Sequence, residues 1–344
     1  MNDRLLKAAR RQPVDTTPIW IMRQAGRYLP EYRAIREKVE FLQLCKTPEL
    51  AAEVTVQPVT RLGVDAAIIF SDILIPVEPM GMVLELGDRG PHLPKPLRTA
   101  ADIAKLRAFD PEDETGFLAE AIRRTRQALS DSVPVIGFCG APFTLAAYMV
   151  EGGGTRSFVQ IKRLLFEHPK LAHQLFGKLA DALIPYLKMQ VTAGARVVQI
   201  FDSWGGELGP RDFAEFSLPY LQRMVRELKA TGVPVIVFGT GMSTLLPLLR
   251  QTDADVLGLD WRIEIDEARR VLGGDVAVQG NLDPAALFLP RVELEARAAD
   301  IIRRAGPVGH IFNLGHGILP PTDPEQARSL VDAVHRAAEG ARAH

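Results

Sequence analysis

Eight times along the chain a short, mostly apolar run stops abruptly at polar or glycine residues. The runs are PIWIM before Arg23, AAIIF before Ser71 and Asp72, VPVIGF before Cys139 and Gly140, and RVVQIF before Asp202 and Ser203. VPVIVF then precedes Gly239 and Thr240, ADVLGL precedes Asp260, VAV precedes Gln279, Gly280 and Asn281, and HIFNL precedes Gly315 and His316. Continuous apolar runs, rather than alternating ones, suit strands buried on both faces of a parallel sheet. Between the runs, helical periodicity covers about 113–130, 155–166, 169–192, 210–231, 262–272 and 324–339. Thr47-Pro48, Asp283-Pro284 and Asp323-Pro324 each read as an N-cap followed by proline at the first helical position. Strands alternating with helices predict a (β/α)8 barrel, with a doubly wound sheet of nine or ten strands as the alternative. No GxGxxG follows the first run, which weakens the dinucleotide-binding version of that sheet. The segment MVLELGDRGPHLPKPL, after the second run, reads as an inserted hairpin. Neither a linker nor a repeat beyond the alternation interrupts the chain, so a single domain over 1–344 is expected.

Composition narrows the function. A chain of 344 residues with 47% hydrophobic content supports one large core, and a formal charge of −1 gives no overall field for nucleic acid or a membrane. Any anion site must be local. Cys45 and Cys139 form neither a disulfide framework nor a metal motif. The opening MNDRLLKAARRQ lacks a signal-peptide core, and no apolar run is long enough to span a membrane. A cytoplasmic protein is expected.

The candidate chemistry begins at MRQAGRYLPEYRAIRE, residues 22–37. Arg23, Arg27, Arg33 and Arg36 crowd into this stretch with Gly26 and Pro30 among them. Glycine and proline disfavour a helix interior. The reading is therefore a strand ending near Arg23, a loop, and a helix from about Pro30 whose buried face carries Tyr32, Ile35 and Val39. The arginines are either a solvated surface or a clamp for anions, since guanidinium binds carboxylate or phosphate through a planar fork. In such barrels chemistry sits at the carboxyl ends of strands. Arg23, Arg27, Asp72, Asp202, Ser203, Asp260, Asn281 and His316 all fall there, whereas His310 begins its run and belongs at the opposite end. No run ends in lysine, which counts against a Schiff-base aldolase. Cys139, His316, Asp202 and Asp260 could converge on zinc, but no His-x-Cys or Cys-x-x-Cys spacing is present, and Cys139 reads as a small buried residue. NLGHGILPP could turn the chain or hold a phosphate, and EGGGT at 151–155 could be an anion nest or, the preferred reading, a lid hinge. A polyanionic ligand with an N–H-bearing centre would suit both the arginines and Asp72, although a strand-end aspartate can equally be a helix cap.

MRQAGRYLPEYR, FSDIL, GAPFTLAAYMVEGG, FDSWGG, QGNLDP and FNLGHGI together resemble the uroporphyrinogen decarboxylase family, in its order and spacing across nearly the whole chain. The resemblance implies a homodimeric barrel enzyme that works without cofactor or metal. It would convert the four acetates of uroporphyrinogen III to methyls, giving coproporphyrinogen III. It also implies substrate contacts at Arg23, Gln24, Ala25, Gly26, Arg27, Arg36, Asp72, Tyr148, Ser203 and His316. Asp72, Arg23 and Arg27 are the catalytic candidates, with Asp72 facing the pyrrole N–H groups and expected to be ionised among arginines. The rivals are a cobamide-dependent methyltransferase, whose zinc spacing is missing here, and a catalytically silent tetrapyrrole-binding protein.

Overall fold

The computed structural model describes residues 2–87 and 90–340. Its strands are β1 (Ala67–Ile68), β2 (Glu85–Gly87), β3 (Gly90–His92), β4 (Val135–Gly140), β5 (Val197–Asp202), β6 (Val235–Gly239), β7 (Val256–Gly258), β8 (Ala277–Gln279) and β9 (His310–Ile311). Seven of them form one curled sheet in the order β1-β4-β5-β6-β7-β8-β9, parallel throughout. β2 and β3 pair with each other, antiparallel. Every residue of β4 and of β6 is buried, as a sheet covered on both faces requires.

The run at 18–22 differs from the expected strand. It reaches the segments that flank both outer strands, through a parallel bridge from Ile19 to Phe312, just past β9, and the N–H of Asp65, two residues before β1, donated to the Ile19 carbonyl at 2.8 Å. Side chains, however, replace most of its ladder. Asp65 Oδ2 accepts the Ile19 N–H at 2.8 Å, Gln24 Oε1 accepts that of Ile21 at 3.0 Å, and Asn313 Oδ1 accepts that of Met22 at 3.0 Å. Each of these buried N–H groups is satisfied, but only one regular bridge survives.

The expected helices are present as Pro111–Ala128, Val159–Glu167, Pro169–Ala193, Pro210–Phe216 with Leu218–Lys229, Ile265–Leu272 and Pro324–Gly340. Asp283 and Asp323 cap as expected, accepting the N–H of Ala285 and Glu325 at 2.9 Å. Thr47 does not; its hydroxyl donates to the Gln43 carbonyl of the preceding turn instead. The helix Pro30–Arg36 begins at proline, as read. Tyr32 is buried on it, while Ile35 is half-buried and Val39 lies beyond its end. Tyr28, Leu29 and Tyr32 belong to a core with Phe70, Phe312 and Leu330, so this segment is pinned against the start of the sheet and the C-terminal helix. Burying side chains of this size stabilises by about 1.5–3 kcal/mol each. Among the described residues no helix is long and apolar enough to cross a membrane.

Candidate active site

Burial of Tyr28, Leu29 and Tyr32 leaves the intervening polar positions on the outside. Arg23, Arg27 and Arg36 line a cavity of about 560 Å³ above the carboxyl ends of β1, β4, β5 and β6. Arg33 does not reach it. Arg36 donates to the Val39 carbonyl and lies over the Phe41 ring, 5.8 Å from its centroid. Arg23 and Arg27 have no ion pair or side-chain hydrogen bond among the described residues, so their forks remain open to a ligand. Ala25 and Gly26 line the cavity, whereas Gln24 is fully buried beneath it. Its amide accepts from Ile21 and donates to the Ala66 carbonyl at 3.0 Å, tying the arginine loop to β1. Gly317 lines the cavity beside Arg23, and its lack of a side chain has a reason: a Cβ there would fall 2.3 Å from Arg23 Cδ.

Asp72 stands just past β1 and lines the same cavity as these arginines. Its Oδ1 accepts the Leu74 N–H at 2.8 Å; its second oxygen accepts nothing from the described residues. Burial raises its pKa above the usual carboxylate range, and the Leu74 bond and the Arg23 charge oppose this without cancelling it. The shift runs against the lowering that neighbouring arginines alone would produce, because desolvation outweighs their attraction.

Tyr148, Ser203 and His316 complete the wall. His316 Nδ1 accepts the Gly317 N–H at 2.7 Å, which leaves Nε2–H as the free donor. Burial, then the charges of Arg23 and Arg262, lower its pKa to about 4, so the ring is neutral near pH 7. Burial, then Asp72, push Tyr148 up to about 12, so it remains a phenol. Phe138, Phe201 and Phe238 form the apolar floor, in edge-on contacts of 5.5 and 5.9 Å. The sequence reading missed them, yet the signal was present: three successive apolar runs, VPVIGF, RVVQIF and VPVIVF, each end in phenylalanine.

Three strand-end candidates lie outside the cavity. Asp202 is buried with both oxygens bonded to hydroxyls, of Thr144 at 2.7 Å and Ser217 at 3.0 Å. Asp260 accepts the Gly241 N–H at 2.7 Å and pairs with Arg262. Asn281 donates to the carbonyls of Asp260 and Ile263. Cys139 is a buried thiol, and His310 is buried with Nε2 2.9 Å from the Gly280 carbonyl. No group of three or more His, Cys, Asp or Glu among the described residues could hold a metal ion.

A curled parallel sheet with an arginine-lined cavity at its carboxyl ends defines an α/β protein whose site is charged to suit an anion. The family model described as uroporphyrinogen decarboxylase (URO-D) matches residues 1–337. The chain is 75% identical over 336 residues to uroporphyrinogen decarboxylase of Myxococcus xanthus, covering 98% of this chain and 97% of that one. It is 50% identical to the same enzyme of Carboxydothermus hydrogenoformans, over 97% and 96% of the two chains. This chain belongs to the uroporphyrinogen decarboxylase family. Among solved structures, a methyltransferase from Methanosarcina mazei superposes with a TM-score of 0.83 over 97% of this chain and 98% of that one. At 21% identity that likeness is one of fold.

Proposed function

We propose that this chain is a carboxy-lyase, a uroporphyrinogen decarboxylase, that turns the four acetates of uroporphyrinogen III into the methyls of coproporphyrinogen III. The observation that carries the reading is one cavity lined by Arg23 and Arg27, whose guanidinium groups are unpaired among the described residues, and by the carboxylate of Asp72, one oxygen of which accepts nothing from those residues. The substrate has eight carboxylates around a ring of four pyrrole N–H groups. Arg23, Arg27 and Arg36 hold carboxylates through charge-assisted bonds, worth roughly 1.5–3 kcal/mol each. Asp72 accepts the pyrrole N–H donors. Tyr148, Ser203 and the Nε2–H of His316 orient further carboxylates, while Ala25 and Gly26 let the ring approach the loop. Gln24 serves the substrate indirectly, by holding that loop on β1.

Each turnover is balanced without a cofactor. A proton adds to the pyrrole ring, the bond between methylene and carboxylate breaks, and its electron pair flows into the cationic ring as carbon dioxide leaves. The exocyclic carbon then takes a proton and the ring gives one up, so one proton replaces one carbon dioxide. Asp72 stabilises the ring cation, a charge greater in the transition state than in the ground state. Phe138, Phe201 and Phe238 keep water from the reacting face, which strengthens these interactions.

The same reading treats 18–22 as the first of eight strands closing the sheet into a barrel, and β2 with β3 as its inserted hairpin. It takes 1–344 as one domain, working as a homodimer in the cytoplasm. The bridge from Ile19 to Phe312 and the antiparallel β2–β3 pairing support the first two points. No observation favours a methyltransferase. The test is anaerobic incubation with uroporphyrinogen III, with products resolved by carboxylate number. Species with seven, six, five and finally four carboxylates are expected; substrate bound but unchanged would leave the silent tetrapyrrole-binding protein as the answer.

A further inference from the structure

The wall that carries Tyr148 is backed by aromatic rings that the reaction above does not use. Tyr148 stacks on Trp204 with ring centroids 3.9 Å apart and planes 29° apart. Phe158 closes on Trp204 edge-on, at 5.0 Å and 77°. Aromatic pairs commonly sit about 4.5–7 Å apart, so the Tyr148–Trp204 contact is tight.

The three rings come from separate segments, and each is anchored. Tyr148 lies on the helix Pro142–Glu151, Trp204 two residues beyond β5, and Phe158 just before the helix Val159–Glu167. Thr144, one turn before Tyr148, donates its hydroxyl to Asp202 at the end of β5 and accepts the Trp204 N–H at 3.2 Å. The helix and the strand end are thus fastened together beside the stack. Phe158 is buried at φ 53, a conformation that bulky residues avoid. Such strain persists where the surroundings over-determine it. Here they comprise the Trp204 ring and Glu151, whose carboxylate accepts the Ile161 N–H at 2.9 Å. Two of the preceding glycines also make close contacts: Gly152 accepts the Leu93 N–H at 2.9 Å, and a Cβ on Gly153 would fall 2.9 Å from the Pro91 carbonyl oxygen.

We infer that Trp204 is a positioning residue that sets the plane of Tyr148, holding its hydroxyl in the cavity near Asp72, with Phe158 holding Trp204 in turn. The inference rests on reading the cavity as the decarboxylation site. Among the described residues the Tyr148 hydroxyl makes no hydrogen bond, and it stays protonated, so it is a donor awaiting a carboxylate. A ring ordered in advance spares each substrate the entropy of ordering it.

The test uses the full chain with Trp204→Ala, Trp204→Leu and Trp204→Phe, each alone and combined with Tyr148→Ala. Trp204→Ala should raise KM by about three- to tenfold, the worth of immobilising one side chain, while kcat moves less. Trp204→Phe keeps a ring to stack and should restore most of the loss. Trp204→Leu fills space without a π face and should not. In the Tyr148→Ala background the Trp204 substitutions should add little. Rescue by leucine equal to that by phenylalanine, or full additivity with Tyr148→Ala, overturns the inference by making Trp204 a mere space-filler. A second readout needs no turnover: the near-UV circular dichroism that Trp204→Phe removes from the wild type should already be diminished in Tyr148→Ala, and an undiminished band overturns the inference. Should the wild type fail to decarboxylate while this signature holds, the proposed function falls and the stack stands. If Trp204→Ala fails to fold, the leucine and phenylalanine variants still decide.

Discussion

Asp72 follows the buried run at 66–70, and Asp202 ends β5, so both stand where strand meets loop at the carboxyl side of the sheet. Burial lifts both above the usual carboxylate range, Asp202 to about 6. They differ in what their oxygens do. Asp202 is wholly enclosed, and the hydroxyls of Thr144 and Ser217 occupy both oxygens. Asp72 commits one oxygen to Leu74, its other accepts nothing from the described residues, and the residue lines an arginine-bearing cavity. Burial and a perturbed pKa therefore mark both residues, and neither property separates them. Unfilled hydrogen-bonding capacity does. A carboxylate whose acceptors are satisfied joins a helix to a strand; one with a vacancy can meet N–H donors from a ligand.

Substitution by asparagine should separate the two most sharply. Asp72→Asn is nearly isosteric but offers an NH₂ donor where the substrate presents donors. A loss of kcat of at least about 10²-fold is expected, the order found when one preorganised charge-stabilising group is removed. The melting temperature should change little, because the vacant oxygen holds nothing in the fold. Near-normal turnover in this variant would reduce Asp72 to the same structural role as Asp202.

The arginines permit the same comparison in cations. Arg27 lines the cavity with its fork unpaired among the described residues, whereas Arg33, six residues on, lies outside it. Arg27→Lys keeps the charge and loses the fork. It should lower kcat/KM by about tenfold or more, as the loss of one charge-assisted bond implies. Partly decarboxylated products should accumulate, since each has one handle fewer. Arg33→Lys is the control and should match the wild type. Equal behaviour of the two variants would make the segment a surface.

The alternation of strands and helices was legible because a sheet covered on both faces leaves unbroken apolar runs. The arginine loop was legible because Gly26 and Pro30 forbid a helix just where it bends. The first run was only half legible. Its N–H groups go to Asp65, Gln24 and Asn313, and the partner of Met22 lies 291 residues away, a pairing that no periodicity can reveal. The strand-end rule brought out Asp72 and His316, but it nominated Asp202, Asp260 and Asn281 with equal force. Which acceptors are filled depends on hydroxyls and amides from other elements, and these are fixed only by packing.

His316 lies between the two carboxylates in expected effect. It is in the cavity, like Asp72, yet its Nδ1 is already engaged by Gly317. With a folded pKa near 4 against 6.5 for the free side chain, it stays neutral throughout the range from pH 5 to 8. Its Nε2–H then serves as a fixed donor. His316→Asn retains an N–H donor and should lose less than about tenfold in kcat/KM, the range of a single neutral hydrogen bond. The pH profile should keep its shape. A limb near pH 6.5 that disappears in the variant would show His316 to be a proton-transfer group.

The smallest expected effect is that of Asp202→Asn, and it lies in stability. The substituted amide would keep a carbonyl oxygen for the Thr144 hydroxyl and an NH₂ that the Ser217 hydroxyl can accept, so activity should stay within about twofold. The pH dependence of folding should change. In the native state Asp202 titrates at about 6, against a reference of 3.8 in the unfolded chain. Between those values the folded form holds a proton that the unfolded form has released. This contribution to stability therefore falls as pH rises from about 4 to 6, and it stays low above that. A shift of this size corresponds to about 3 kcal/mol at most. His310, lowered to about 4 by burial, acts in the opposite sense over an overlapping range, but it does so equally in both proteins. The informative quantity is thus the difference in melting temperature, variant minus wild type, measured from pH 4 to pH 7. It should grow more positive with rising pH, by a few degrees in all. A difference that is flat with pH would mean that the hydroxyls of Thr144 and Ser217 stabilise the carboxylate as fully as water does, and that burial does not set the Asp202 pKa.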